Sequence, residues 1–237
     1  QVVAKDDKRI LAERVEYPSP NGNPKMGGYL VRPADKKGKL PSVLVVHENR
    51  GLNPHIEDIT RRLALEGYMA FAPDALFPLG GYPGDEDKAR ELFGKLDRPK
   101  INEDFIAAAA WLKAHSGGTG KVAVVGFCFG GSISHMLSTK IPDLAGAVPF
   151  YGGNPPVEEA KNVKCPLLIH FAEKDDRINA AWPAYEEALK AAKVSYEAFV
   201  YPGTQHGFNN DTTPRFDKAS ADLAWKRTLD FFAKHLK

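Results

Sequence analysis

Several β-forming runs in this chain are apolar on both faces, and that restricts its possible folds more than any other feature. A strand with one wet face alternates polar and apolar residues, whereas "SVLVV", "MAFAP" and "VAVVGF" do not alternate. Such strands must be covered on both sides, as in a parallel sheet flanked by helices. The β-type runs fall at 27 to 33, 41 to 48, 68 to 74, 121 to 127, 144 to 151, 166 to 172 and 194 to 202. Between them, helical spacing predicts helices over 54 to 66, 85 to 96, 101 to 115, 131 to 140, 180 to 192 and 215 to 236. Pro54 suits a first helical turn and Gly67 a helix stop. The expected fold class is α/β, a mostly parallel central sheet with helices on both faces. With no repeat and no linker rich enough to divide it, the chain reads as a single domain over 1–237. Residues 1–24 form an N-terminal extension or edge segment.

The charges narrow the partners. Lys plus Arg total 32 and Asp plus Glu 30, a net charge of +2, and neither sign gathers into a block. That argues against nucleic acid or an anionic membrane surface and for a small-molecule substrate. The two cysteines cannot make a disulfide framework, and no Cys/His spacing suits a metal site, so neither metal nor cofactor is expected. No run of 18 apolar residues exists to span a bilayer. The chain reads as soluble, cytoplasmic or, if a leader preceded Gln1, periplasmic; monomer and homodimer stay equally open.

One cysteine stands in an unusual place. "KVAVVGFCFGGSISHM" (121 to 136) runs from a strand into a helix, with Gly126, Cys128, Gly130 and Gly131 spelling G-x-C-x-G-G. This is the nucleophile-elbow pattern with sulfur in place of oxygen. The turn is so tight that Cβ atoms two residues from the nucleophile would strike backbone, which is the reason for glycine. At the N-terminus of a helix, a thiol meets unpaired N–H groups and a dipole that favour the thiolate. The Phe129 amide is the first candidate oxyanion donor.

A cysteine nucleophile needs a base and the base needs an orienting carboxylate. In α/β-hydrolase order these follow later strands. "EKDDRIN" after the strand at 166 to 172 offers Asp175 or Asp176, with Asp175 favoured by its shorter reach, and "GTQHGF" after the strand at 194 to 202 offers His206. Glu48 is a carboxylate at the end of an apolar run, costly to bury without a partner, for which Arg50 is one choice. The Pro- and Gly-rich stretch 76 to 88 is expected to be a loop, at a strand end where loops border ligands. Cys165 reads as structural.

Taken together and in order, "VVHENRG", "GYMAFAPD", "GFCFGG", "AEKDDRI" and "PGTQHGF" resemble the dienelactone hydrolase family, the cysteine branch of the α/β-hydrolase fold, over about residues 25 to 236. The resemblance implies a Cys128–Asp175–His206 triad, a Glu48 that helps activate the thiol, and an oxyanion hole from the amides of Asn49 and Phe129. It also implies substrate contacts from Arg90 and Tyr151, and cleavage of small esters or lactones through a thioester intermediate. Family members that open dienelactones hold the substrate carboxylate with two arginines. Arg90 matches one, but Asn210 stands at the other and Gly207 replaces a serine, so half that clamp is missing. The alternatives are a broad esterase or thioesterase, and a silent hydrolase fold used for binding, against which stand three separated polar residues at strand ends.

Overall fold

The computed structural model describes residues 1–237. Eight strands form one sheet in the order β1-β2-β4-β3-β5-β6-β7-β8. They are β1 (Ile10–Pro18), β2 (Lys25–Pro33), β3 (Leu40–Val46), β4 (Met69–Pro73), β5 (Gly118–Phe127), β6 (Gly146–Phe150), β7 (Leu167–Lys174) and β8 (Tyr196–Gln205). β1 and β2 pair antiparallel, as do β2 and β4. The pairs β3–β4, β5–β6, β6–β7 and β7–β8 are parallel. The helices are α1 (Pro54–Leu65), α2 (Glu86–Phe93), α3 (Arg98–Ala114), α4 (Phe129–Lys140), α5 (Asp176–Ala180), α6 (Trp182–Ala191) and α7 (Lys218–Leu236). None is long and apolar enough to cross a membrane.

The chain divides into two compact units, Gln1–Val122 and Ala123–Lys237. In the first, α1 packs on β2 and β4, burying Ile56, Ile59 and Leu63. The segment before β1 is pinned down. Val2 and Val3 donate their amides to the Asp58 carboxylate, and the fully buried Arg61 donates Nε to the Val3 carbonyl at 2.8 Å. Residues 1–24 therefore include the edge strand β1, whose partner is β2.

The expected loop at 76 to 88 carries a single 3-10 turn, Phe77–Leu79, and then α2 begins. A buried carboxylate shapes it. Asp74, just past β4, accepts the amides of Leu52, Leu76 and Tyr82, tying the start of this loop to the turn after β3.

In the second unit, α4 packs on β6 and α7 on β6 and β7. A stack of rings, Phe127 on Phe150 and Phe150 on His170, fills the space along β5, β6 and β7, with centroids 4.7 and 4.3 Å apart. The His170 ring is 0% exposed. Its Nδ1 lies 2.8 Å from the Tyr201 hydroxyl and its Nε2 3.0 Å from Thr228 Oγ1. Because the Thr228 hydroxyl already donates to Ala224 O, it accepts from Nε2–H, and Nδ1 accepts from Tyr201. Burial holds this imidazole neutral, its pKa lowered to about 3.

Candidate active site

The elbow is as tight as its glycines suggest. Cys128 sits at φ 61°, ψ −116°, a left-handed conformation that costs a non-glycine residue energy and that surrounding structure must enforce. That enforcement is visible. The Cys128 amide donates to Phe150 O at 3.0 Å, its carbonyl accepts from Ser132 in the first turn of α4, and the Tyr151 amide donates to His170 O at 2.8 Å. A Cβ at Gly126 would overlap the Gly130 carbonyl, and one at Gly131 would overlap Phe150 O. Gly152, not singled out in the sequence, matters equally, since its Cβ would overlap Gly131 and Ser132 backbone. The glycine pair of "YGG" straight after a strand is its only signal.

Partly exposed Cys128 meets one side chain, His206, which in turn meets Asp175. His206 follows β8 and places Nε2 3.1 Å from Cys128 Sγ, while its Nδ1 lies 2.6 Å from Asp175 Oδ2. Of the two adjacent carboxylates, then, Asp175 reaches the imidazole, and Asp176 begins α5 as an exposed residue. The two segments are bolted together where Glu173 N donates to Thr204 Oγ1 and Gly203 N donates to the Glu173 carboxylate at 3.0 Å, and Asn179 Nδ2 braces the Asp175 turn itself by donating to Ala172 O at 2.8 Å. Tyr151, itself held at φ 36° and 1% exposed, sets its ring 5.1 Å from that of His206.

Electrostatics follow from this geometry. Burial alone would lower the His206 pKa, but the hydrogen bonds the ring makes to Asp175 and Cys128 and the charges there outweigh it and raise it to about 10. The geometry suits an imidazolium, whose Nδ1–H can donate to the carboxylate and whose Nε2–H can donate to sulfur. The second cysteine is its opposite. Cys165 is buried, and burial pushes its thiol up to about 12.

The remaining sequence-selected residues fall as follows. Glu48 and Asn49 lie just past β3 in the first unit, Glu48 8% exposed, with Arg50 donating to Asn49 Oδ1 at 2.6 Å. His47 is buried, donates Nδ1–H to the Glu48 carbonyl and accepts the Ala75 amide at Nε2. Arg90 is an exposed residue of α2, 3.9 Å from the Asp87 carboxylate. Phe129 opens α4 and is 7% exposed. Asn210 is buried and accepts the Thr212 amide and hydroxyl, so it shapes the loop beyond His206. Gly207, at φ 89°, leaves room for the Arg215 guanidinium, whose Nη2 stands 3.3 Å from where a Cβ would be.

The sequence model of the dienelactone hydrolase family matches residues 26–236. A protein of Escherichia coli (strain K12) named "Putative carboxymethylenebutenolidase" is 34% identical over 248 residues, covering 99% of this chain and 91% of its own. One of the same name from Saccharolobus solfataricus is 32% identical, covering 89% and 94%. The crystal structure of a "Putative Dienelactone Hydrolase" from Klebsiella pneumoniae superposes with a TM-score of 0.82 at 32% identity, covering 94% of this chain and 99% of that one. Matched along nearly its whole length in sequence and in fold, the chain belongs to the dienelactone hydrolase family, hydrolases of the α/β-hydrolase fold.

Proposed function

We propose that the chain cleaves carboxylic esters or lactones of small molecules with Cys128 as nucleophile, His206 as acid and base, and Asp175 as the group that orients it. One observation carries the reading: the unbroken run from Asp175 Oδ2 through both His206 nitrogens to Cys128 Sγ, with links of 2.6 and 3.1 Å. Sulfur attacks the ester carbonyl carbon, and the oxyanion that forms is stabilised by the Phe129 amide at the start of α4. Collapse breaks the acyl–oxygen bond, His206 Nε2 gives its proton to the leaving alkoxide, and a thioester remains on Cys128. Water, deprotonated by the now neutral His206, attacks the thioester; the acyl–sulfur bond breaks, the acid leaves, and sulfur and imidazole are free for the next cycle. Asp175 holds the imidazole by Nδ1 in both steps. A thiolate leaving group suits activated acyl groups such as enol esters better than amides.

The sequence favours a broad ester or thioester range over strict recognition of a dienelactone carboxylate, because the buried Asn210 is spent on its own loop and Gly207 offers no side chain. The test is hydrolysis of p-nitrophenyl acetate beside a panel of lactones and thioesters. Wild type is expected to turn over p-nitrophenyl acetate and to carry an acyl mass increment on the Cys128 peptide after quenching. Iodoacetamide or Cys128→Ala is expected to abolish both. Activity surviving either treatment removes Cys128 from the mechanism.

A further inference from the structure

A second concave site lies within the first unit, between α3 and the turn that follows β1. It is a cleft of about 410 Å³ lined by Pro18, Pro20, Ile106, Ala110 and Trp111, with Glu103 among the lining residues. Its volume is within the roughly 300–1,000 Å³ range of small-molecule sites. The sequence of α3 explains how it arises. One face buries Ile101, Phe105, Ala108 and Leu112. Residues 103, 106, 107, 110 and 111 form a second stripe at helical spacing, and from Ile106 onward it too is apolar. The alanines are small, so the stripe is hollow between the Ile106 and Trp111 side chains.

The opposite wall is fixed in place. The Asp104 carboxylate, 1% exposed, accepts from Ser19 Oγ at 2.6 Å, Asn23 N at 2.8 Å and Asn23 Nδ2 at 2.6 Å, and the Asp104 carbonyl accepts from the Tyr17 hydroxyl. A Cβ at Gly22 would overlap that carboxylate, so "PSPNGNP" can close on α3 only with glycine there. Four hydrogen bonds from residues flanking Pro18 and Pro20 thus hold both prolines off the helix at a set distance. A cleft whose walls are locked before a ligand arrives loses little entropy on binding. Trp111 is braced too, its ring 4.8 Å from Phe71 and 5.2 Å from His115.

We propose that this cleft binds a small aromatic amine in its cationic form, apart from the hydrolytic site. Flat apolar walls of proline and tryptophan suit an aromatic ring. Glu103 forms no ion pair within the chain and supplies the charge partner, and the Trp111 face adds a cation–π contact to an ammonium group.

Calorimetric titration of the full chain with tryptamine, 3-ethylindole and indole-3-propionate provides the test, alongside p-nitrophenyl acetate turnover. Tryptamine is expected to bind with one site per chain, about three- to fivefold tighter than 3-ethylindole, the range of an exposed charge pair, and indole-3-propionate to bind weakest. Glu103→Gln is expected to erase the difference between the first two. Ala110→Trp, which fills the cleft from an exposed helix position, is expected to abolish binding while leaving ester turnover as in wild type. The proposal is overturned if tryptamine does not bind, if it binds Ala110→Trp equally well, or if the three ligands bind alike. It is equally overturned if sedimentation shows a dimer that Ala110→Trp dissociates, because a second copy would then be the occupant.

Discussion

His135 gives the sharpest test of the energetics. The residue lies in α4, 0% exposed, with its ring edge-on to Tyr185 at 5.8 Å and neither ring nitrogen hydrogen-bonded within the chain. Burial lowers its pKa from 6.5 to about 3. A group whose folded pKa is depressed in this way, and which is neutral when deprotonated, destabilises the fold as pH falls. The unfolded chain takes up a proton below 6.5 and the folded chain does not until about 3. Each pH unit below 6.5 therefore costs about 1.4 kcal/mol, and by pH 5 His135 alone has removed about 2 kcal/mol. Against a total of roughly 5–15 kcal/mol for a typical domain, that is a large share. Replacing it with leucine, similar in volume, removes the titration and also two buried nitrogens without partners, each class of loss worth about 1–3 kcal/mol. His135→Leu is thus expected to match or exceed wild type at pH 7.5, and to lead it by about 2 kcal/mol more at pH 5. Urea midpoints measured from pH 7.5 to 5 on both proteins check this, with other acid-sensitive groups cancelling in the difference. A stability difference that stays flat across that range would refute the reasoning, because it would mean that His135 titrates alike in both states.

Asp175→Asn is expected to lower turnover by about 10⁴, while Asp176→Asn, exposed at the start of α5, leaves it near wild type; steady-state kinetics on the pair settle the assignment. Gly126→Ala is expected to cost more than about 4 kcal/mol or to prevent folding, since its Cβ would overlap the Gly130 carbonyl backbone, and expression with thermal melting reads the outcome. In the native protein at pH 7.5, iodoacetamide is expected to label Cys128 and spare Cys165, whose buried thiol is pushed up to about 12; peptide mass mapping distinguishes them.

The elements legible in the sequence were those whose signal is local. Apolar runs located β2 to β8 to within a few residues, and the elbow announced itself because its glycines, cysteine and helix are contiguous. β1, expected only as part of an extension or edge segment, was not legible as a strand for a physical reason. "ILAERVEYP" is an edge strand buried only near its ends, at Ile10 and Tyr17, so it lacks both an apolar run and a clean alternation. α5 is five residues long and too short to show a period. Reach along the chain already favoured Asp175 over Asp176, but the backbone turn between β7 and α5, which sets Asp175 against His206 and leaves Asp176 exposed, has no signal in the sequence. The Asp104 clamp was hidden because its partners lie more than 80 residues away, and no spacing rule connects them.

The strained cysteine has a mechanical dependency reaching well beyond its own turn. Its amide hangs from the Phe150 carbonyl, the next residue, Tyr151, from His170, and the His170 ring from Tyr201 and Thr228. Thr228 belongs to α7, so the C-terminal helix is the far anchor of a train of bonds that ends at Cys128, the proposed nucleophile. A proteolytic nick that peels α7 away would let the elbow relax to an ordinary conformation, silencing the enzyme while leaving every one of its reacting atoms on the chain.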